Sequence, residues 1–149
     1  MKKTISLVLA LVLFAALLLG LNNLGTVEGK SYVFARAKCR WEDDIPEWQK
    51  EDFVTIMKVL TEDESITTKN VLEKYEEMLN QNNQGRIYTF QPDGIVGGTF
   101  SGTWQQEPDG ELEVTLMDWE MAVEMKLGRL VQKVRDYDYI DAVLVFKKQ

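Results

Sequence analysis

The chain has no histidine and only one cysteine, Cys39. Without histidine, a Ser/His/Asp triad, a Cys/His dyad and a histidine-bound metal are excluded. With one cysteine, an internal disulfide and a four-cysteine zinc site are excluded within one chain. The fold must stand on its apolar core, and any acid–base chemistry falls to carboxylates, lysine or tyrosine. Positive charge is also in short supply: 17 Lys plus Arg face 24 Asp plus Glu, a formal net charge of −7. The only basic pair near the end is Lys147-Lys148. A nucleic-acid surface needs clustered Lys and Arg, so no nucleic-acid partner is expected.

Charge is missing altogether between Lys3 and Glu28. Met1-Lys2-Lys3 is a short basic head, and Ile5 to Leu21 is a nearly unbroken apolar run. This is the pattern of an export signal. At about 17 residues the run is at the short end for crossing a bilayer as a helix. Two outcomes stand: a cleaved signal peptide, or a retained anchor with Lys2 and Lys3 on the cytoplasmic side. Leu18-Leu19-Gly20 and Val27-Glu28-Gly29 match a cleavage site only in part. Ala35-Arg36-Ala37 has the right form but lies inside the first predicted strand. Cys39 sits too far downstream to carry a lipid. Residues 1–29 therefore read as a targeting segment, with a polar spacer over 22–29, and residues 30–149 as one domain. The protein is expected to be secreted or held at the outer face of the cytoplasmic membrane, touching the membrane only through this segment.

What is present is mostly alternation. From Lys30 to Trp41 the residues Val33, Ala35, Ala37, Cys39 and Trp41 share one parity, and Arg36, Lys38 and Arg40 the other. That predicts a half-buried strand with Cys39 inside as a small apolar residue. Glu42-Asp43-Asp44 lacks a third metal ligand and reads as dipole complement and solvation at a helix start. Asp44 or Ile45 is the expected cap, with Pro46 in the first turn. Phe53, Ile56, Met57 and Leu60 form an i, i+3, i+4, i+7 stripe. A second helix, capped near Thr67 or Thr68, presents Val71, Leu72, Tyr75, Met78 and Leu79 on one face, with Glu73, Lys74, Glu76 and Glu77 toward water. The helical insertion covers about 46–80.

From Arg86 to Trp104 the chain reads as two strands joined at Pro92-Asp93-Gly94. Tyr88 and Phe90 share a face, and Gly97, Gly98 and Gly102 mark bends or close backbone approach. Trp104 is placed to plug one end of a small curved sheet. Glu107-Pro108-Asp109-Gly110 is a hairpin turn. Leu112, Val114 and Leu116 alternate, as do Met121, Val123 and Met125; Met117 to Glu120 turns the chain between them. Leu127-Gly128 turns it again before Leu130 to Val134. Ala142, Leu144 and Phe146 share a face of the last strand. The fold class is β-rich (α+β): an antiparallel up-and-down meander curled into a small barrel, with a two-helix insertion after the first strand.

Phe90-Gln91-Pro92-Asp93-Gly94, Gly102-Thr103-Trp104, Asp109-Gly110 before Leu112 to Leu116, Gly128 before Leu130, and Leu144 to Lys148 resemble the lipocalin-like domains of exported bacterial proteins. The similarity covers Arg86 to Lys148 and, more weakly, Lys30 to Trp41. It implies a small up-and-down β-barrel outside the cytoplasm, and no particular ligand. Members often carry a lipid-bearing cysteine, which this chain lacks.

Three functional readings follow. The first is a non-catalytic module for a small apolar molecule, with Met78, Trp104, Trp119, Met121 and Met125 as candidate ligand-binding residues. Its rival is that these side chains simply pack the core. The second is a structural or interaction protein at the cell envelope, supported by the acidic helices and by Tyr137 and Tyr139 as exposed aromatics; ordinary loop cover is the plainer account of those tyrosines. The third is a glycan-acting enzyme using two of Asp93, Asp109, Asp118, Glu120, Asp136 and Asp138. Turn aspartates are normally turn formers. The expectation is no catalysis, no cofactor and no metal.

Overall fold

The computed structural model describes residues 26–108, 111–117 and 119–149, and of Trp119 the backbone alone. The targeting segment, Asp109, Gly110, Asp118 and the Trp119 side chain lie outside the described residues. The elements run β1 (Ser31–Trp41), α1 (Glu47–Thr61), α2 (Val71–Asn83), β2 (Ile87–Phe90), β3 (Ile95–Gly98), β4 (Gly102–Gln106), β5 (Leu112–Leu116), β6 (Trp119–Lys126), β7 (Arg129–Val134) and β8 (Ile140–Lys148). Each strand pairs antiparallel with the next, and β1 pairs with β8, closing an eight-stranded barrel. The β-rich antiparallel barrel expected from the alternation is the observed architecture.

Short strands with period-two alternation explain the closure. Leu112, Val114 and Leu116 of β5 turn inward, as do Ile140, Ala142, Leu144 and Phe146 of β8. Tyr88 and Phe90 of β2 are also buried. Eight strands give an interior just wide enough for side chains to fill or for one small ligand. The rings of Tyr88 and Phe146 lie 5.1 Å apart and those of Tyr32 and Phe90 5.9 Å apart.

Several expectations need correction. The single inward parity of the first strand fails because a bulge shifts the register between Phe34 and Arg36. An extra residue flips the faces. Tyr32 and Phe34 pack inward before it, Ala37, Cys39 and Trp41 after it; Val33 is half-buried and Ala35 exposed. The stretch from Arg86 to Trp104 holds three strands rather than two, since the chain reverses again at 99–101. Gly98 has a φ of 113°, and a Cβ there would stand 2.2 Å from the Ile87 carbonyl oxygen. The glycines that blur the strand pattern are what permit the bend.

The helices also differ in detail. Pro46, not Asp44 or Ile45, holds the N-cap position of α1, because Asp44 takes a left-handed φ of 60° in the preceding turn. Asn70 takes that position in α2; a turn from Thr67 precedes it, in which Asn70 Oδ1 accepts the Thr67 amide. Helix α2 runs on through Asn83. The apolar stripe of α1 is narrower than its sequence: Phe53 and Met57 are buried, whereas Ile56 and Leu60 are exposed. The reason is the contact surface. Phe53 enters a ring of aromatics, with Trp41, Tyr75, Tyr137 and Tyr139 at 5.8, 5.4, 4.9 and 6.1 Å. Burying one such ring stabilises by roughly 1.5–3 kcal/mol. Tyr137 and Tyr139 are therefore half-buried in the seam between helices and barrel, and not exposed aromatics.

The two ends of the barrel differ. At one end Val27 is fully buried, with its amide donating to Gln106 Oε1 at 3.3 Å. The core thus takes in a residue of the stretch read as spacer. Trp104 sits half-buried at the same end, its indole Nε1 donating to the Gln91 carbonyl at 2.9 Å and its ring 5.7 Å from Phe90. The helices occupy the opposite end, where Trp41 ends β1 and Ile87 begins β2.

Candidate functional site

At the helix end the barrel mouth holds a cavity of about 670 Å³. That is within the range of small-molecule sites, roughly 300–1,000 Å³. Its walls come from α2 (Leu79, Asn83), β2's approach (Arg86), the β3–β4 turn (Phe100), the β5–β6 turn (Leu116, Met117), β6 (Glu120, Met121, Ala122), the end of β7 and following loop (Gln132 to Asp136), and Leu144 of β8. Leu79, Leu116 and Leu144 are buried and form the apolar part.

One charged side chain is built into this mouth. Arg86 shares inward parity with Tyr88 and Phe90, so its guanidinium lies across the opening. Nη1 donates to Asn83 Oδ1 at 2.8 Å, and Nη2 donates to the Tyr88 hydroxyl. The guanidinium carbon is 5.0 Å from the Tyr88 ring centre and 4.9 Å from that of Phe100. A guanidinium between two rings is held by attraction to their faces. Its Nε is buried and has no hydrogen-bond partner. Among the described residues no carboxylate forms an ion pair with it. Burial raises the Tyr88 phenol above its ordinary value, and Arg86 pulls it the other way. The Tyr88 hydroxyl faces Gln132 Oε1 at 3.3 Å and Met121 Sδ at 3.8 Å.

Of the sequence-predicted ligand residues, Met121 lines the cavity. Trp104 lies at the plugged end. Met78 and Met125 are half-buried against the core and are not among the cavity walls. The Trp119 side chain lies outside the described residues. Arg86 and Phe100 went unmarked in the sequence. The signal for Arg86 was available: it continues the Tyr88–Phe90 parity by one step, putting a cation on an inward face.

Of the candidate carboxylates, two come to the cavity and Asp93 does not. Asp93 forms its turn at the plugged end, accepting the Ile95 amide at 3.3 Å. Glu120 and Asp136 both border the cavity, and both are exposed. A general acid at neutral pH is ordinarily made by burial or by a like charge close by. Asp136 instead accepts a hydrogen bond from the Tyr75 hydroxyl at 3.1 Å. Burial and Asp136 both push the Tyr75 phenol up. Among the described residues no group of three potential metal ligands stands together, and no helix is long and apolar enough to cross a membrane.

No family model, no curated protein and no solved structure matches this chain.

Proposed function

We propose that this protein is an exported, non-catalytic binding module of lipocalin-like type whose barrel mouth takes one small, largely apolar molecule. The observation that carries the reading is the cavity itself: about 670 Å³, with Leu79, Leu116, Met121 and Leu144 in its walls and polar or charged side chains, Arg86 and Gln132 among them, set between these. A mouth with an apolar floor and a few placed polar groups is the usual build of a ligand site. Export rests on the basic head and apolar run of the first residues, and the barrel type on the motif order from Arg86 to Lys148.

The test is titration of the protein with the neutral fluorescent dye N-phenylnaphthylamine. Saturable binding at one dye per chain is expected, weakened roughly tenfold or more by Met121→Trp, which fills the mouth. A signal that never saturates, or one indifferent to that substitution, sinks the reading.

A further inference from the structure

We infer that the occupant of the barrel mouth is an anionic amphiphile, a carboxylate on an apolar chain, with the carboxylate held by Arg86. This rests on the small-ligand reading above and adds the ligand's chemical class. The guanidinium cannot lose its charge inside a protein. A cation in an apolar setting is costly unless it is paired. Asn83 and the Tyr88 hydroxyl take two of its five N–H groups. Three remain, and the one on Nε is buried without a partner. The rings of Tyr88 and Phe100 moderate the charge but cannot accept it as a carboxylate does.

The surroundings do not cancel this charge. Around Arg86 the charges on the cavity border balance, Lys133 and Arg135 against Glu120 and Asp136, so the guanidinium is the charge in excess, on a chain whose formal net charge is −7. Both carboxylates are exposed, and Asp136 is already engaged by Tyr75. The fork of a guanidinium matches a planar carboxylate with two parallel hydrogen bonds. Leu79, Leu116, Met121 and Leu144 then receive the alkyl chain. A neutral alcohol of the same length would leave the guanidinium unmatched, and an amine would repel it.

Displacement of bound N-phenylnaphthylamine from the full chain distinguishes these cases, with decanoate, decanol, decylamine and acetate as competitors. Decanoate is expected to displace at a concentration roughly tenfold or more below decanol or decylamine, and acetate, lacking the chain, not at all. Arg86→Gln should erase that advantage while dye still binds, and Arg86→Lys should keep part of it. Arg86 also ties Asn83 to Tyr88, so thermal melting checks that each variant folds. The ratio of decanoate to decanol in the unaltered protein gives the same answer without any substitution. Equal displacement by the two, or preference for decylamine, overturns the carboxylate assignment and leaves the cavity reading standing. Absence of saturable dye binding together with absence of decanoate binding by calorimetry overturns both.

Discussion

Cys39 shows how one position is read by its neighbours. Its thiol is pushed up to about 12, first by burial and then by the Glu76 and Asp141 carboxylates. Thiolate is the reactive form. Labelling with a disulfide reagent at about pH 8 should therefore be on the order of 100-fold slower in the folded protein than in denaturant. Equal rates would contradict the packing of β1. The same displacement has a thermodynamic sign. Above the ordinary thiol value of 9.0 the unfolded chain gives up the proton and the folded chain keeps it. The unfolded state then binds fewer protons, so stability falls as pH rises from about 9 toward 12, and this contribution is intact below that window. Tyr75 and Tyr88 are raised too and act in the same direction. Cys39→Ala should flatten the first part of the decline in urea midpoint against pH; an unchanged slope would mean that the thiol is not its source.

The helix α2 is fastened to the barrel by an arrangement that periodicity does not reveal. Strand β2 pairs with β1 only over Ser31–Val33. Beyond Phe34, whose amide donates to the Arg86 carbonyl at 2.8 Å, that edge of β1 would be bare, and bare edges invite pairing with other chains. Two side chains of α2 cover it: Asn80 Oδ1 accepts the Ala37 amide at 2.8 Å, and Glu76 Oε2 accepts the Cys39 amide at 3.0 Å. Glu76, read from its helical position as facing water, is half-buried and acts as a substitute strand partner. Asn80→Ala should cost about 1–3 kcal/mol in chemical unfolding, because the half-covered amide loses its acceptor. A loss under about 0.5 kcal/mol would show that water replaces it freely. The alternation of β5, β6 and β8 was legible because each inward face is strictly apolar. The bulge in β1, the glycine-blurred reversal between β3 and β4, and the α2 contact were not. In each case a backbone event or a polar side chain replaces the apolar pattern on which such reading depends. The site was legible only at Met121; Arg86 was passed over because a cation on an inward face looks like an outward one until its parity is followed.

Closing the barrel as a whole depends on strands approaching unusually near each other. A Cβ on Gly98 would meet the Ile87 carbonyl oxygen at 2.2 Å, and one on Gly102 would meet that of Thr115 at 2.0 Å. These are backbone atoms, which cannot step aside as a flexible side chain does. At Gly98 the φ of 113° adds strain for any other residue. Gly98→Ala should therefore destabilise by about 2 kcal/mol or more. The loss should be global, read as one cooperative transition at lower temperature by both near- and far-ultraviolet circular dichroism. A wild-type melting point would mean that β2 and β3 are not pressed together. The plug made by Val27 has a different consequence, one of orientation. Gln149 finishes beside the same rim, its amide donating to the Ser31 carbonyl at 2.9 Å. Val27 and Gln149 thus share one pole, and the cavity opens at the other. A tag fused after Gln149 would therefore stand at the pole away from the cavity.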